Sequence, residues 1–173
     1  MEKETTISTL HQLLDYNTQH FIVGEVHLQQ ALKNWIEKAS AVKLKAIFQK
    51  YLEHIDHNVK SFEKFIDMER MNLISSEHKI LTTLIEDADK TYLYCSDPEI
   101  KDASLLASVQ VINHFKICAY GTAAAYANTL GMEEAGKLFK MAEINEKQID
   151  DRLSQMAEFE INKRATSPVV LPN

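Results

Sequence analysis

The stretch SDPEIKDASLLASVQVINHFKICAYGTAAAYANTLG, residues 96–131, predicts a single long helix with both of its ends marked. Ser96 or Asp97 can cap the start, and Pro98 takes the first helical position, where a missing N–H removes no hydrogen bond. Gly131 supplies a left-handed stop at the other end. A helix of this length extends for roughly 45 Å. It therefore needs other long helices to cover its apolar side.

Apolar residues at three- and four-residue steps predict four further helices. They cover about Thr6–Ala39, a segment capped by Ser40 and ending near Glu69, a shorter segment from Ser75 or Ser76 to about Tyr94, and about Glu133–Lys163. The connections within the first and last pairs of long helices are only a few residues long, so each pair is expected to be antiparallel. The sequence thus predicts an all-α fold, a four-helix bundle of two antiparallel long-helix pairs with one shorter connecting helix.

Length and composition favour one domain built of long helices. A chain of 173 residues is long enough to bury a core of its own without disulfides or metals. It contains only four Gly and three Pro, and such sparse punctuation argues against many short strands. We expect a single bundle over residues 1–165, followed by a tail over residues 166–173 that has no helical period.

Charge, hydropathy and cysteine content narrow the classes of function. The net charge is −6 with both signs interspersed, and no Lys/Arg face alternates with aromatic residues, which argues against a nucleic-acid partner. No apolar run approaches the roughly 20 residues of a membrane span, and the acidic N-terminus is unlike a signal peptide. Two cysteines, Cys95 and Cys118, are too few for a disulfide framework. We expect both to be buried thiols of a cytoplasmic protein.

Several carboxylates, histidines and amides lie on or beside the apolar stripes, where a helical bundle would hold a metal. They are Glu25 on the first helix, His54 and Asn58 on the second, Asn113 and His114 on the fourth, and Glu146 and Asp150 on the last. A buried carboxylate is costly unless it is paired, hydrogen-bonded or bound to a metal. Taken alone, these residues leave two interpretations open: a metal site between the helices, or boundary ion pairs and a buried polar network.

Four segments carry a resemblance to a known family over about residues 6–163. They are LDYNTQHFIVGEVHLQQAL, LKAIFQKYLEHIDHNVKSFEKF, IKDASLLASVQVINHFKICAYGTAAAYANTLGMEEAGKLF and EKQIDDRLSQMA. The sequence resembles the YciE/YciF family of bacterial ferritin-like proteins, whose D-A-x-L-x-A-x-x-Q and Y-G-T features it contains. The resemblance implies a ferritin-like bundle, a homodimer, an association with bacterial stress responses, and a di-metal protein whose reaction is not established.

The resemblance also implies which residues would hold the metals, and several of them are replaced. Glu25 is kept, while His54 stands in the place of a Glu and Asn58 in the place of a His or Gln. In the family's Glu-His-Tyr-Glu stretch the two Glu become Asn113 and Lys116, Tyr becomes Phe115, and His114 is kept. In the last helix Asn145 replaces one of two adjacent Glu, while Glu146 and Asp150 remain.

These replacements remove negative charge from the centre of the bundle. Two metal ions need several anionic oxygens to balance their charge and bridge them. We therefore expect no cofactor, and a buried polar network with Asn58 and Asn113 in place of the cluster. The alternative is a single Fe or Zn held by Glu25, His54, Glu146 and also His114.

Three functions follow from this sequence. The leading one is a self-associating stress protein that is non-catalytic or weakly metal-binding, and so not an enzyme. The second is a di-iron or mononuclear metal oxidase or peroxide-consuming enzyme, with Glu25, His54, Glu146 and Asp150 as ligands. The third is a helical interaction module with an apolar patch near Met68, Met71 and Leu73.

Overall fold

The structure is a computed structural model that describes residues 6–69 and 78–166. Its helices are α1 (Leu10–Lys38), α2 (Val42–Glu69), α3 (Lys79–Tyr94), α4 (Pro98–Thr129) and α5 (Glu133–Met156). After α5 the chain continues through a π-helical turn, Ala157–Ile161, and a short final turn, Asn162–Ala165. No strand occurs within these described ranges. The predicted all-α fold is confirmed.

The four long helices form a bundle of two pairs. α1 packs mainly against α2, and α4 packs mainly against α5; each pair is joined by a short connection and is therefore antiparallel. α1 also contacts α4, and α2 contacts α5, which closes the bundle. The shorter α3 packs on α4 and α1 from outside. It lies in the connection between the two pairs, as in a ferritin-like bundle with one crossover.

The ends of α4 form as the sequence predicts. The side chain of Asp97 accepts a hydrogen bond of 3.1 Å from the backbone N–H of Ile100, and Pro98 opens the helix. Gly131 has a φ of 71°, in the left-handed region that glycine adopts without strain. The next N–H, that of Met132, donates to the carbonyl oxygen of Ala127 at 2.9 Å. The turn between α4 and α5 is thus fixed by backbone bonds.

Asp102 of α4 holds the turn between α1 and α2. Its buried carboxylate accepts hydrogen bonds from the backbone N–H groups of Ser40 (2.8 Å) and Ala41 (2.7 Å) and from the Ser40 hydroxyl (2.5 Å). The prediction that Ser40 caps α2 is therefore wrong, because its hydroxyl donates to Asp102 and α2 begins only at Val42. Asp102 attaches the first helical pair to the start of α4.

The start of α3 and the cysteines differ from expectation. The predicted caps of α3, Ser75 and Ser76, lie outside the described residues, as do residues 167–173 of the predicted tail. Within the described part, α3 is capped by the His78 ring, which accepts a hydrogen bond from the backbone N–H of Leu81 at 3.2 Å.

The prediction of two buried thiols is wrong: Cys118 is exposed and Cys95 is half-buried.

The core consists of two apolar clusters with a polar layer between them. One cluster includes Trp35 and Phe48, and the other includes Phe62 and Phe139. On α1 the residues of the two clusters meet on either side of Glu25. Within the described residues, no helix combines the length and the apolarity that a membrane crossing requires.

Candidate functional site

Six side chains from all four long helices converge in the polar layer between the apolar clusters. We call them the central cluster: Glu25 from α1, Tyr51 from α2, Asn113, Lys116 and Tyr120 from α4, and Glu146 from α5. Each is at most 3% exposed. Charged side chains are almost never buried to this degree unless they are paired. The contacts within the cluster therefore decide what it can do.

The ammonium group of Lys116 occupies the middle of the central cluster. Its Nζ lies 3.0 Å from Oε2 of Glu25 and 2.7 Å from Oε1 of Glu146. It also donates to the hydroxyl oxygen of Tyr51 at 3.2 Å. These three oxygens match the three N–H groups of an ammonium. The ring of Tyr51, with its centroid 4.8 Å from Nζ, adds a cation–π contact.

The remaining carboxylate oxygens are also engaged. Tyr51 donates its hydroxyl hydrogen to Oε2 of Glu146 at 2.6 Å, and Asn113 Nδ2 donates to the same oxygen at 2.7 Å. Asn113 Nδ2 further contacts the backbone oxygen of Glu146 at 3.1 Å. Tyr120 donates to Oε1 of Glu25. Oε2 of Glu25 and Oε1 of Glu146 meet Lys116 as ion pairs without aligned hydrogen bonds, whereas the other two carboxylate oxygens accept hydrogen bonds.

The titration of these groups follows from burial and from their mutual charges. Burial raises the pKa of the Glu25 carboxyl, although the charge of Lys116 opposes this. Burial alone would lower the pKa of Lys116, but the charges and contacts of Glu146 and Glu25 outweigh it and raise that pKa. Burial beside the carboxylates raises the pKa values of Tyr51 and Tyr120 well above their usual range. Near neutral pH, Lys116 is thus charged and both tyrosines are hydrogen-bond donors.

The helical spacing of α4 explains why Lys116 points inward. Asn113, Lys116 and Tyr120 follow one another at steps of three and four residues, so they share one face of the helix. The apolar period predicted Asn113 on the inner face, whereas Lys116 was placed near the centre only by the resemblance, in the position of a Glu. The signal was present in the spacing, because Lys116 is three residues from Asn113 and four from Tyr120.

The structure brings together only some of the predicted site residues. Of the predicted metal ligands, Glu25 and Glu146 lie in the central cluster, together with Asn113 of the predicted polar network. His114 and Asp150 pair with each other at 2.8 Å on the outside of α4 and α5, with the His114 side chain 64% exposed. His54 is half-buried, and no hydrogen bond or ion pair joins it to the cluster within the described residues. Its pKa is lowered by partial burial and by the charges of Lys50 and Arg152.

Asn58 is buried, but no hydrogen bond joins it to the central cluster within the described residues. Its Nδ2 has no hydrogen-bond partner within the described part of the chain. Oδ1 of Asn113 likewise lacks a partner there, although its Nδ2 is bonded twice. The polar network therefore forms around Lys116 and two tyrosines, rather than from amide and imidazole groups alone.

The donor set of the central cluster does not fit a metal pair. No group of three or more His, Cys, Asp or Glu side chains in the described ranges is arranged to hold a metal ion. The two carboxylates that do meet already share an ammonium, so a metal between them would lie against a positive charge. Ligation would require Lys116 to leave or lose its proton, and its raised pKa opposes the latter.

Comparisons with known proteins agree with the fold. Residues 9–166 match the family described as "Domain of unknown function (DUF892)". The chain belongs to the DUF892 family. Protein YciF of Escherichia coli (strain K12) is 31% identical to this DUF892 chain over 148 residues, which cover 82% of the chain and 86% of YciF. The resemblance to the YciE/YciF family is confirmed.

Solved structures similar to this DUF892 chain share its architecture. The crystal structure of the E. coli stress protein YciF gives a TM-score of 0.84 at 25% identity and covers 93% of this chain and 100% of its own. YcfI of Rhodopseudomonas palustris, described as a candidate structural protein, gives 0.83 at 23% identity over 88% and 97% of the two chains. A two-domain protein of Anabaena variabilis with DJ-1/ThiJ/PfpI-like and ferritin-like domains gives 0.59 at 19% identity, covering 96% of this chain and 40% of its own.

Proposed function

We propose that this chain is a non-catalytic, structural DUF892 protein of the bacterial stress response, in which the Lys116 ammonium replaces a metal centre. The observation that carries the proposal is the position of Lys116 Nζ, 3.0 Å from Glu25 and 2.7 Å from Glu146. The link to stress comes from the similarity to YciF, which is named as a stress protein. The structural role agrees with the description of YcfI.

The charges of the central cluster support the view that the Lys116 ammonium stands in place of a metal centre rather than beside one. Two carboxylates and one ammonium carry a formal charge of −1, whereas a pair of divalent ions would add +4 and demand further anionic oxygens. The ammonium binds the four helices through Glu25, Glu146 and Tyr51, which is the structural part of what a metal does in such a bundle. An ammonium cannot exchange electrons or activate oxygen. The cluster is therefore suited to holding the helices together.

The metal content of the purified protein tests this proposal. The parent protein and the variant Lys116→Glu are purified from iron-supplemented cells, together with Lys64→Glu, which makes the same charge change at an exposed position of α2. We expect less than one metal ion per chain in the parent and in Lys64→Glu. About two irons per chain in the parent, with oxygen uptake on adding Fe(II), would overturn the proposal. Any gain of metal in Lys116→Glu would show that the lysine blocks the site.

Self-association is part of the same proposal. It is supported by the resemblance and by two large apolar side chains at the end of α3, Leu93 and Tyr94, which are 77% and 76% exposed. Light scattering that finds only monomer at micromolar concentration would contradict it. The alternative apolar patch for a protein partner contains Met68, which is 64% exposed, while Met71 and Leu73 lie outside the described residues.

A further inference from the structure

A second site lies on the outside of the bundle, where α1, α4 and the start of α3 meet. There a cavity of about 560 Å³ opens to solvent. Its described lining residues include Tyr16, His20, His78, Lys79, Phe115 and Thr122. The volume lies within the range of natural small-molecule pockets, about 300–1,000 Å³. We propose that this aromatic cavity binds a small, flat aromatic anion with one or two fused rings.

Aromatic rings form a continuous arc along the cavity wall. The centroids of Tyr16 and His20 are 4.0 Å apart, those of His20 and His78 6.0 Å, and those of His78 and Phe115 5.5 Å. The two wider spacings lie within the 4.5–7 Å at which ring pairs attract one another in edge-to-face arrangements, and such rings present faces and edges to a further ring. A flat aromatic ligand would extend this arc with the same contacts.

The charge of the cavity favours an anion. Among the described lining residues, Lys79 is the one that carries a full charge at neutral pH and none is a carboxylate, although the chain as a whole carries a net charge of −6. The Nδ1 of His78 accepts the N–H of Leu81, which places the proton of the neutral ring on Nε2, where it can be donated. A carboxylate or sulfonate on the ligand would thus meet an ammonium and an imidazole donor.

The inner wall of the aromatic cavity separates the ligand from the central cluster. A void of about 10 Å³ lies behind it and shares Phe21, His78, Phe115 and Ala119 with the cavity. The void also touches Glu25 and Lys116, and it has room for at most one water molecule. The aromatic cavity can therefore be tested independently of the buried cluster, and the proposal does not depend on the proposed function.

The test compares two fluorescent probes with the same rings. 1-Anilinonaphthalene-8-sulfonate carries a sulfonate, and N-phenyl-1-naphthylamine lacks it. We expect the sulfonate probe to bind the folded protein at one site per chain. Ala119→Trp and Thr122→Trp fill the cavity and should weaken binding by about tenfold or more, because steric exclusion removes the buried contact area. The control Ala125→Trp, exposed on the same helix, should bind as the parent does.

Charge selectivity is tested with Lys79→Gln and its control Lys90→Gln on the exposed face of α3. Lys79→Gln should weaken the sulfonate probe about fivefold, the effect of one partly exposed charge pair, and leave the neutral probe within about twofold. Lys90→Gln should change neither. Circular dichroism and thermal melts establish that each variant is folded. The proposal is overturned if the parent does not bind the sulfonate probe, if both tryptophan variants bind it normally, or if Lys79→Gln weakens both probes alike.

Discussion

Replacing Lys116 by methionine removes the positive charge from the central cluster while changing the shape of the side chain little. The variant Lys116→Met leaves Glu25 and Glu146 buried, each 1% exposed, without their shared cation. At an effective dielectric constant of about 20, ion pairs of 2.7 and 3.0 Å are each worth roughly 6 kcal/mol before desolvation is subtracted. Desolvation of the charges offsets much of this. Removal of one partner from a buried ion pair typically costs about 3–5 kcal/mol.

Thermal unfolding followed by circular dichroism measures this cost. For a domain of this size, about 3–5 kcal/mol corresponds to a fall in Tm of roughly 6–20 °C at pH 7. The exposed control Lys64→Met should melt with the parent. The triple variant Lys116→Met, Glu25→Gln, Glu146→Gln should recover most of the loss, since neutral groups of similar volume remove the unpaired charges.

The pH dependence gives this prediction a second, independent readout. Without Lys116, the opposing charge that lowers the pKa of Glu25 is lost, so that pKa rises further above the usual value of 4.5. A raised carboxyl pKa means that the folded state binds more protons, so stability is present below pH 4.5 and is lost as the pH rises. The gap between parent and Lys116→Met should therefore shrink from pH 7 towards pH 4.5. A variant that melts within about 1 °C of the parent at pH 7 would refute the reasoning.

Three further predictions concern the alkaline limit, the α1–α2 turn and a close helix contact. Because the pKa of Lys116 in the folded state is raised above 10.5, its contribution to the free energy of unfolding is complete below pH 10.5 and is lost as the pH rises through the raised pKa. Urea titrations should therefore show stability falling above pH 10.5, and the fall should be less steep in Lys116→Met. Asp102→Ala removes three hydrogen bonds to Ser40 and Ala41 and should lower the free energy of unfolding by about 2–3 kcal/mol in urea titrations. The control Asp87→Ala, at an exposed position, should change it by less than about 0.5 kcal/mol. In Gly24→Ala the new Cβ would lie 2.8 Å from the side chain of buried Leu81 and should cost about 1–3 kcal/mol of stability. In Gly136→Ala the new Cβ meets only the movable end of the exposed Asn128 side chain, so the variant should be neutral or more stable by up to about 1 kcal/mol. A thermal melt that ranks these two variants the other way would contradict the packing of α3 on α1.

The fold could be predicted from the sequence because its signals are local. Asp97, Pro98 and Gly131 mark the ends of α4 through capping and backbone geometry, which depend on a few neighbouring residues. The long apolar periods without proline predicted the other long helices in the same way. The cap predicted at Ser40 was wrong because the hydroxyl group of Ser40 donates instead to Asp102, which is 62 residues away along the chain. A pattern of neighbouring residues cannot predict a hydrogen bond between residues so far apart in the sequence.

The central cluster could be predicted only in part. Glu25, Glu146 and Asn113 are recognisable because they interrupt apolar stripes. The resemblance placed Lys116 near the centre, in the position of a Glu, but its meeting with two carboxylates from other helices was not predicted, since a lysine is almost always exposed unless it is paired. That meeting depends on the rotation of α1 and α5 relative to α4, which the sequence does not fix. The same uncertainty of rotation explains why Cys118 was expected to be buried.

A crystal structure with anomalous diffraction data, from crystals soaked in Fe(II), tests the central claim most directly. The claim is that the Lys116 ammonium replaces a metal between Glu25 and Glu146. We expect continuous side-chain density for Lys116 reaching both carboxylates, and no iron peak between them. An anomalous iron peak about 2.0–2.2 Å from oxygens of both carboxylates, with the Lys116 side chain turned away, would contradict the claim.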